Sequence, residues 1–164
     1  MTEYVIAELP LGRGMIGIAP MPGRGAHVSS DLTTIISWGA DVVLTMTGRH
    51  ELEFAGASAM GEDLEAAGVH WRHLPVTDLG APPSETCALW PEASEVAHRA
   101  LGGGGRVLAH CFGGCGRSGM ALLRLMVEAG EDVDAALARL RTVRPCAVET
   151  AAQRAWAALG SGRE

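Results

Sequence analysis

A cysteine and an arginine with five residues between them lie in the segment Val107-Leu-Ala-His-Cys-Phe-Gly-Gly-Cys-Gly-Arg-Ser-Gly119. An apolar run precedes Cys111, and a helix-forming run follows Arg117. The backbone N–H groups of such a strand–loop–helix junction converge at the positive end of the helix dipole, which favours a bound anion. Arg117 can add two parallel N–H donors suited to phosphate oxygens. We therefore interpret residues 111–117, the anion loop, as a phosphate site.

Within the anion loop, the glycines allow the backbone to wrap closely around a tetrahedral anion without Cβ clashes. The helix N-terminus and a nearby arginine favour the thiolate form of Cys111, which is the nucleophilic form. Ser118 can donate a hydrogen bond to the sulfur and help it leave after a phosphocysteine has formed. His110 is expected to hold the loop and not to transfer a proton in the reaction. The predicted phosphate-binding residues are Phe112, Gly113, Gly114, Cys115, Gly116 and Arg117.

The pattern His110-Cys111-x5-Arg117-Ser118, with Gly114 inside it, resembles the signature of the cysteine-dependent protein tyrosine phosphatase superfamily. It is most similar to the compact, dual-specificity type, and in particular to the kinase-associated phosphatase branch. The resemblance implies hydrolysis of a phosphate monoester through a phosphocysteine at Cys111. It also implies phosphotyrosine, phosphoserine or phosphothreonine in proteins, or a small phosphate monoester, as substrate. No metal and no organic cofactor is implied.

Two further segments resemble parts of this family. Leu74–Pro83, which we call the acid loop, resembles the loop that supplies a general acid, and Asp78 is the matching position. The resemblance implies that Asp78 protonates the leaving oxygen and then activates the attacking water. Arg144–Gln153 resembles the Arg-Pro segment of the family, which implies that Gln153 helps to position that water. Nearer the N-terminus, Pro22-Gly23-Arg24 is interpreted as a loop on the substrate side.

The four cysteines show no paired C-x-x-C spacing, and they are expected to be thiols. For Cys115, the expected contribution is its backbone N–H group. The alternative is a redox role, in which Cys111 is oxidised to a sulfenic acid and then trapped as a disulfide by Cys115, Cys87 or Cys146.

Other functions remain open on the sequence alone. The same fold can capture phosphorylated partners without turnover, although such modules usually lack one of the catalytic residues. A cysteine in an anion loop can also serve sulfur transfer, arsenate reduction or a redox switch. A metal site at His110, Cys111 and Cys115 is a further alternative, but it lacks a fourth ligand and leaves Arg117 unexplained.

Alternation of short apolar runs with helical stretches predicts an α/β fold: a central, largely parallel sheet of four or five strands flanked by helices. We expect one domain over residues 1–164. The expected strands are Tyr4–Leu9, Met15–Ala19, Asp41–Met46, Val69–Leu74 and Arg106–His110. The expected helices are near Ser30–Trp38, Glu51–Ala55, Glu62–Ala67, Ser84–Leu101 (with Pro91 breaking it or starting a second segment), Ser118–Ala129, Val133–Thr142 and Glu149–Leu159.

A formal net charge of −6 argues against a broad basic surface for nucleic acid. No stretch reaches the roughly 18 apolar residues of a membrane span, and Met1-Thr2-Glu3-Tyr4 lacks the basic start of a signal peptide. The sequence therefore predicts no nucleic-acid or membrane partner and a cytoplasmic location by default. It carries no pattern that specifies an oligomeric state.

Overall fold

The computed structural model describes residues 3–162. Four residues of the predicted domain lie outside the described residues: Met1 and Thr2, at the N-terminus that was expected to lack a signal peptide, and Arg163 and Glu164. The strands are β1 (Ala7–Leu11), β2 (Gly14–Ala19), β3 (Val42–Thr45), β4 (His70–His73) and β5 (Arg106–His110). The helices are α1 (Val28–Trp38), α2 (Arg49–Phe54), α3 (Met60–Ala66), α4 (Ser84–Gly102), α5 (Gly116–Glu128), α6 (Val133–Val143) and α7 (Ala151–Ala158), and a 3₁₀ turn follows at Leu159–Gly162.

The five strands form one sheet in the order β1-β2-β5-β3-β4. The pairs β2–β5, β5–β3 and β3–β4 are parallel, and only β1 at the edge is antiparallel. The predicted α/β fold with a largely parallel sheet is therefore confirmed.

Successive residues of the central strands pack on opposite faces of the sheet, as the two-residue period of a strand requires. Val42 and Leu44 belong to the core under α4–α7, whereas Val43 belongs to the core under α1–α3. Helix α5 is buried along nearly its whole length, as its apolar sequence predicts. The sheet is thus covered on both sides, which is typical of parallel sheets.

Local sequence signals explain most of the element boundaries. Asp132 accepts a hydrogen bond from the N–H of Ala135 at 3.0 Å and caps α6, as predicted. Gly130, with a φ of 104°, follows the end of α5 in the left-handed conformation that glycine permits. The predicted break at Pro91 is wrong: α4 continues through it. A proline costs the helix one backbone hydrogen bond, and Trp90, Ala93 and the other buried side chains of α4 hold it in place.

The four parallel strands end at the same edge of the sheet, and the candidate residues follow these ends. The loop after β2 carries Arg24, α2 follows β3, the acid loop follows β4, and the anion loop follows β5. In open parallel sheets this edge is where ligands bind. No helix within residues 3–162 is both long enough and apolar enough to cross a membrane.

Candidate active site

The anion loop connects the central strand β5 to the buried helix α5. Between residues 3 and 162, the backbone N–H groups of residues 112–118 have no protein acceptor. The last of these residues form the first turn of α5, and the N–H groups in the first turn of an α-helix have no carbonyl acceptor within the helix. The loop therefore presents a set of unused donors, which an anion with several oxygens can satisfy.

The carbonyl groups of the anion loop are held away from these donors. The N–H of Met21 donates to the carbonyl of Phe112 at 3.0 Å. The guanidinium of Arg144 donates from Nη2 to the carbonyl of Gly113 at 3.0 Å and from Nε to that of Gly114 at 2.9 Å. Since successive peptide groups are fixed by their oxygens, their N–H groups are fixed as well. Arg144, which the sequence places in an Arg-Pro segment, thus orders the loop from outside.

Gly114 lies where the loop comes closest to the neighbouring strand end. Its φ is 74°, and a Cβ there would lie 2.7 Å from the carbonyl carbon of Ala19. Both the conformation and the space therefore require glycine at this position.

Cys111 lies at the start of the loop with its thiol free and only 2% of the residue exposed. Its Sγ lies 3.2 Å from Oγ of Ser118, which is also buried. A hydroxyl at this distance can donate to a thiolate. The structure therefore places the predicted nucleophile beside the hydroxyl that is expected to stabilise it.

His110 is fully buried and belongs to a chain of hydrogen bonds. The carbonyl of Cys111 can only accept, so Nδ1 of His110, which lies 3.2 Å from it, carries the imidazole hydrogen and donates. In the neutral ring Nε2 is then an acceptor, and the hydroxyl of Thr45 donates to it at 2.7 Å. The indole N–H of Trp71 donates to Oγ1 of Thr45, also at 2.7 Å. Burial lowers the pKa of His110 to about 4, so the ring is neutral at physiological pH. A neutral histidine in this position holds the first peptide group of the loop.

Arg117 is buried and forms a two-pronged ion pair with Glu51, with Nη1–Oε2 and Nη2–Oε1 distances of 2.8 and 2.9 Å. Nη1 also donates to the carbonyl of Val76 at 2.9 Å. Nε, in contrast, has no partner among the described residues. A buried N–H group without an acceptor costs roughly 1–3 kcal/mol. Arg117 therefore has a fixed direction, and its Nε–H is left as a donor for a ligand.

The sequence did not single out Glu51. Although burial opposes its ionisation, hydrogen bonds from Arg117 and from the N–H of Gly48 hold the pKa of Glu51 below its usual value. The only local signal is a capping box at the start of α2, in which the Glu51 side chain accepts from Gly48. The ion pair of Glu51 with Arg117 joins residues that are far apart in the chain, so the capping box does not predict it.

Asp78 lies on the acid loop with 70% of its side chain exposed, and its Oδ1 is 3.6 Å from Nη2 of Arg117. The hydroxyl of Thr150 donates to the carbonyl of Leu79 at 3.1 Å, and Nε2 of Gln153 donates to that of Gly80 at 3.2 Å. These bonds hold the acid loop against the start of α7. A carboxyl group on this loop is thus both near the anion loop and open to a substrate.

Gln153 is fully buried, and its carboxamide is largely engaged. Its Oε1 accepts from the N–H groups of Glu149 and Thr150, at 2.8 and 3.2 Å, and caps α7. Nε2 retains one hydrogen beyond its bond to Gly80. The role in positioning water stays a prediction, and that N–H is the group available for it.

Cys115 and Cys146 form a disulfide with a Cα–Cα distance of 5.1 Å. The expectation of four thiols is therefore wrong for these two residues; Cys87 and Cys111 are free. Cys115 is therefore bonded to Cys146 and not to Cys111. The spacing of the cysteines in the sequence does not indicate this disulfide. Cys146 lies beside the anion loop in the folded chain, where Arg144 of the same segment bonds to the loop.

We expect Cys146→Ser to lower the free energy of unfolding by about 3–4 kcal/mol, because the disulfide closes a loop of 31 residues in the unfolded chain. The corresponding fall in Tm is on the order of 10 °C. Thermal unfolding with and without a dithiol reductant checks this. Cys87→Ser, which removes an exposed free thiol, is the matched control. A wild-type Tm that is unchanged by the dithiol would contradict the prediction.

The structure gives no support to the alternative metal site. Among residues 3–162, no group of three or more His, Cys, Asp or Glu side chains is arranged to hold a metal ion. Cys115, one of the three suggested ligands, is in the disulfide.

Comparison with known proteins gives matches along most of the chain. A family model described as "Polymorphic toxin system, DSP-PTPase phosphatase" matches residues 17–131. The mouse protein cyclin-dependent kinase inhibitor 3 is 28% identical over 134 residues, which are 76% of this chain and 62% of the mouse protein. This chain thus covers less than two thirds of that relative.

Among solved structures, a kinase associated phosphatase with its catalytic-site cysteine replaced by serine is similar with a TM-score of 0.81. It is 22% identical, and the match covers 96% of this chain and 93% of that one. The active form of Tk-PTP is similar with a TM-score of 0.74 and 27% identity, over 96% of this chain and 97% of the other.

Proposed function

This chain belongs to the family of dual-specificity, cysteine-dependent protein tyrosine phosphatases, and on that premise we propose that it hydrolyses phosphate monoesters through a phosphocysteine at Cys111. The proposed substrates are phosphotyrosine, phosphoserine or phosphothreonine in proteins. The observation that carries the proposal is the combination of one free, buried thiol with unused N–H donors and the unpartnered Nε of Arg117. Together they provide a nucleophile and a binding site for three phosphate oxygens.

In the first step, the Cys111 thiolate attacks phosphorus, and the bond between phosphorus and the ester oxygen breaks. The anion loop and Nε of Arg117 donate to the three other oxygens, whose charge they stabilise in the transition state. Asp78 gives its proton to the departing oxygen, since an alkoxide or phenoxide is a poor leaving group. The product is a phosphocysteine and a free alcohol or phenol.

In the second step, water attacks phosphorus and the sulfur–phosphorus bond breaks. Asp78, now a carboxylate, accepts a proton from the water, and inorganic phosphate is released. Ser118 donates a hydrogen bond to the departing thiolate, for which its Oγ is 3.2 Å from Sγ. The free N–H of Gln153 is the proposed guide for the water.

The test is hydrolysis of p-nitrophenyl phosphate by the full chain in the presence of a metal chelator, with and without a dithiol reductant. We expect turnover in chelator, because every group in the proposed steps belongs to the protein. Absence of turnover both with and without the reductant would contradict the proposal and favour a phosphate-binding or thiol redox module. The arm without reductant shows whether activity needs the Cys115–Cys146 disulfide.

Asp78→Asn is expected to slow esters with poor leaving groups by roughly 10²–10⁴-fold, because asparagine cannot protonate the departing oxygen. A good leaving group such as p-nitrophenolate needs little protonation, so the first step of its hydrolysis should be slowed far less. Single-turnover rates for a series of aryl phosphates of rising phenol pKa check this.

Asp134→Asn is the matched control, since Asp134 is an exposed aspartate outside the site. It is expected to leave all the rates unchanged. An equal loss for good and poor leaving groups in Asp78→Asn would remove Asp78 as the general acid.

A further inference from the structure

Both phenylalanines of this chain lie at the anion loop. Phe112 directly follows Cys111, and Phe54 is the last residue of α2. Their ring centroids are 6.2 Å apart with an interplanar angle of 51°. Aromatic rings attract one another in tilted arrangements at such distances. The two rings therefore form one aromatic surface that includes the residue directly after Cys111.

The two rings differ in exposure. Phe112 is half-buried, and the guanidinium carbon of Arg24 lies 5.2 Å from its ring centroid, within the range of a cation–π contact. Phe54 is 84% exposed, more than any other large hydrophobic side chain in the described range. Phe112 is thus held by neighbours, whereas the ring of Phe54 has most of its surface available.

Helix α2 directs Phe54 toward the site. Glu51 and Phe54 are three residues apart, so they lie on neighbouring positions of the same helix face. Glu51 is bonded to Arg117 at 2.8 Å. The face that carries Phe54 is therefore the face next to the anion loop.

A second exposed apolar side chain, that of Leu79, lies next to Asp78 in the acid loop. Leu79, which is 54% exposed, follows Asp78, and Asp78 is 3.6 Å from Arg117. Glu51 on α2 and Asp78 on the acid loop thus approach the same guanidinium, and each has an exposed apolar neighbour. Exposed apolar surface therefore lies next to both carboxylates that approach Arg117.

We propose that Phe54 is a specificity residue that packs against the phenyl ring of an aryl phosphate, the phosphotyrosine side chain being the protein substrate of this class. This deepens the proposed function and depends on it. The ring of a phosphotyrosine gains contact with Phe54, whereas phosphothreonine and phosphoserine have no ring to place there. Phe54 thereby favours aryl over alkyl phosphate monoesters at one catalytic loop.

The test compares Phe54→Ala, Phe54→Tyr and wild type on two peptides of identical sequence that carry phosphotyrosine or phosphothreonine. We expect kcat/KM for the phosphotyrosine peptide to fall about 10-fold in Phe54→Ala, which corresponds to the loss of one aromatic pair. The loss should appear mainly in KM. Phe54→Tyr keeps the ring and should remain within about twofold of wild type. Phosphothreonine hydrolysis and inhibition by inorganic phosphate, which lacks a ring, should not change.

Leu159→Ala is the control, since Leu159 is exposed on the 3₁₀ turn after α7 and lies outside this surface. It should leave both peptides unaffected, and thermal unfolding shows that each variant is folded. Unchanged phosphotyrosine hydrolysis in Phe54→Ala, or an equal loss for phosphotyrosine and phosphothreonine, would overturn the inference while the wild-type turnover upholds the proposed function. Absence of wild-type turnover on either peptide and on p-nitrophenyl phosphate would overturn both.

Discussion

Replacement of Cys111 by serine is expected to lower kcat for p-nitrophenyl phosphate by a factor on the order of 10⁴ or more, since loss of a nucleophile disables the whole catalytic unit. Serine is close in size to cysteine, but its hydroxyl is a far weaker nucleophile than a thiolate. The anion loop is held by Arg144 and Met21, and neither contact involves the sulfur. The variant should therefore fold and still bind phosphate.

Two measurements belong with this variant. Binding of inorganic phosphate, measured by calorimetry, should stay close to that of wild-type protein, and Cys87→Ser should keep wild-type turnover because its sulfur is exposed and outside the loop. Turnover that persists in purified Cys111→Ser would mean that another residue is the nucleophile.

Arg117→Lys is expected to lower kcat/KM by about 10²–10³-fold, which is the usual cost of removing a preorganised donor to transition-state charge. Lysine keeps the positive charge but lacks the planar fork and the Nε hydrogen. In this protein the two Nη atoms are engaged by Glu51, and Nε is the donor without a partner. Loss of Nε should therefore remove a contact to phosphate that charge alone cannot replace.

The same substitution at Arg99, which is exposed on α4, is the control. Arg99→Lys should retain wild-type kcat/KM, and thermal unfolding of both variants separates a loss of catalysis from a loss of fold. Near-normal turnover of a folded Arg117→Lys would contradict the assigned role.

Local patterns in the sequence predict much of this architecture. The apolar run before Cys111, the glycines of the loop and the helix after Arg117 follow one another, so backbone preferences alone specify a strand–loop–helix junction. Asp132 and Gly130 likewise mark helix ends through bonds within a few residues. Features that depend on near neighbours in the chain are readable in this way.

The features that escaped prediction depend on distant parts of the chain. Glu51 and Arg117 are separated by 66 positions and meet because β3 and β5 are adjacent in the sheet. Cys115 and Cys146 are 31 positions apart, and they meet where Arg144 of the same segment bonds to the anion loop. Such contacts are products of the strand order, which composition and periodicity do not specify.

Formation of a phosphocysteine at Cys111 can be observed by rapid acid quenching of Asp78→Asn during turnover of p-nitrophenyl phosphate, followed by mass spectrometry of the proteolysed chain. With this good leaving group the first step proceeds without an acid, while the second lacks its base, so the phosphorylated enzyme should accumulate. We expect the added mass of one phosphoryl group on Cys111, assigned by fragmentation. Turnover with no phosphorylated peptide, or with the phosphoryl group on another side chain, would contradict it.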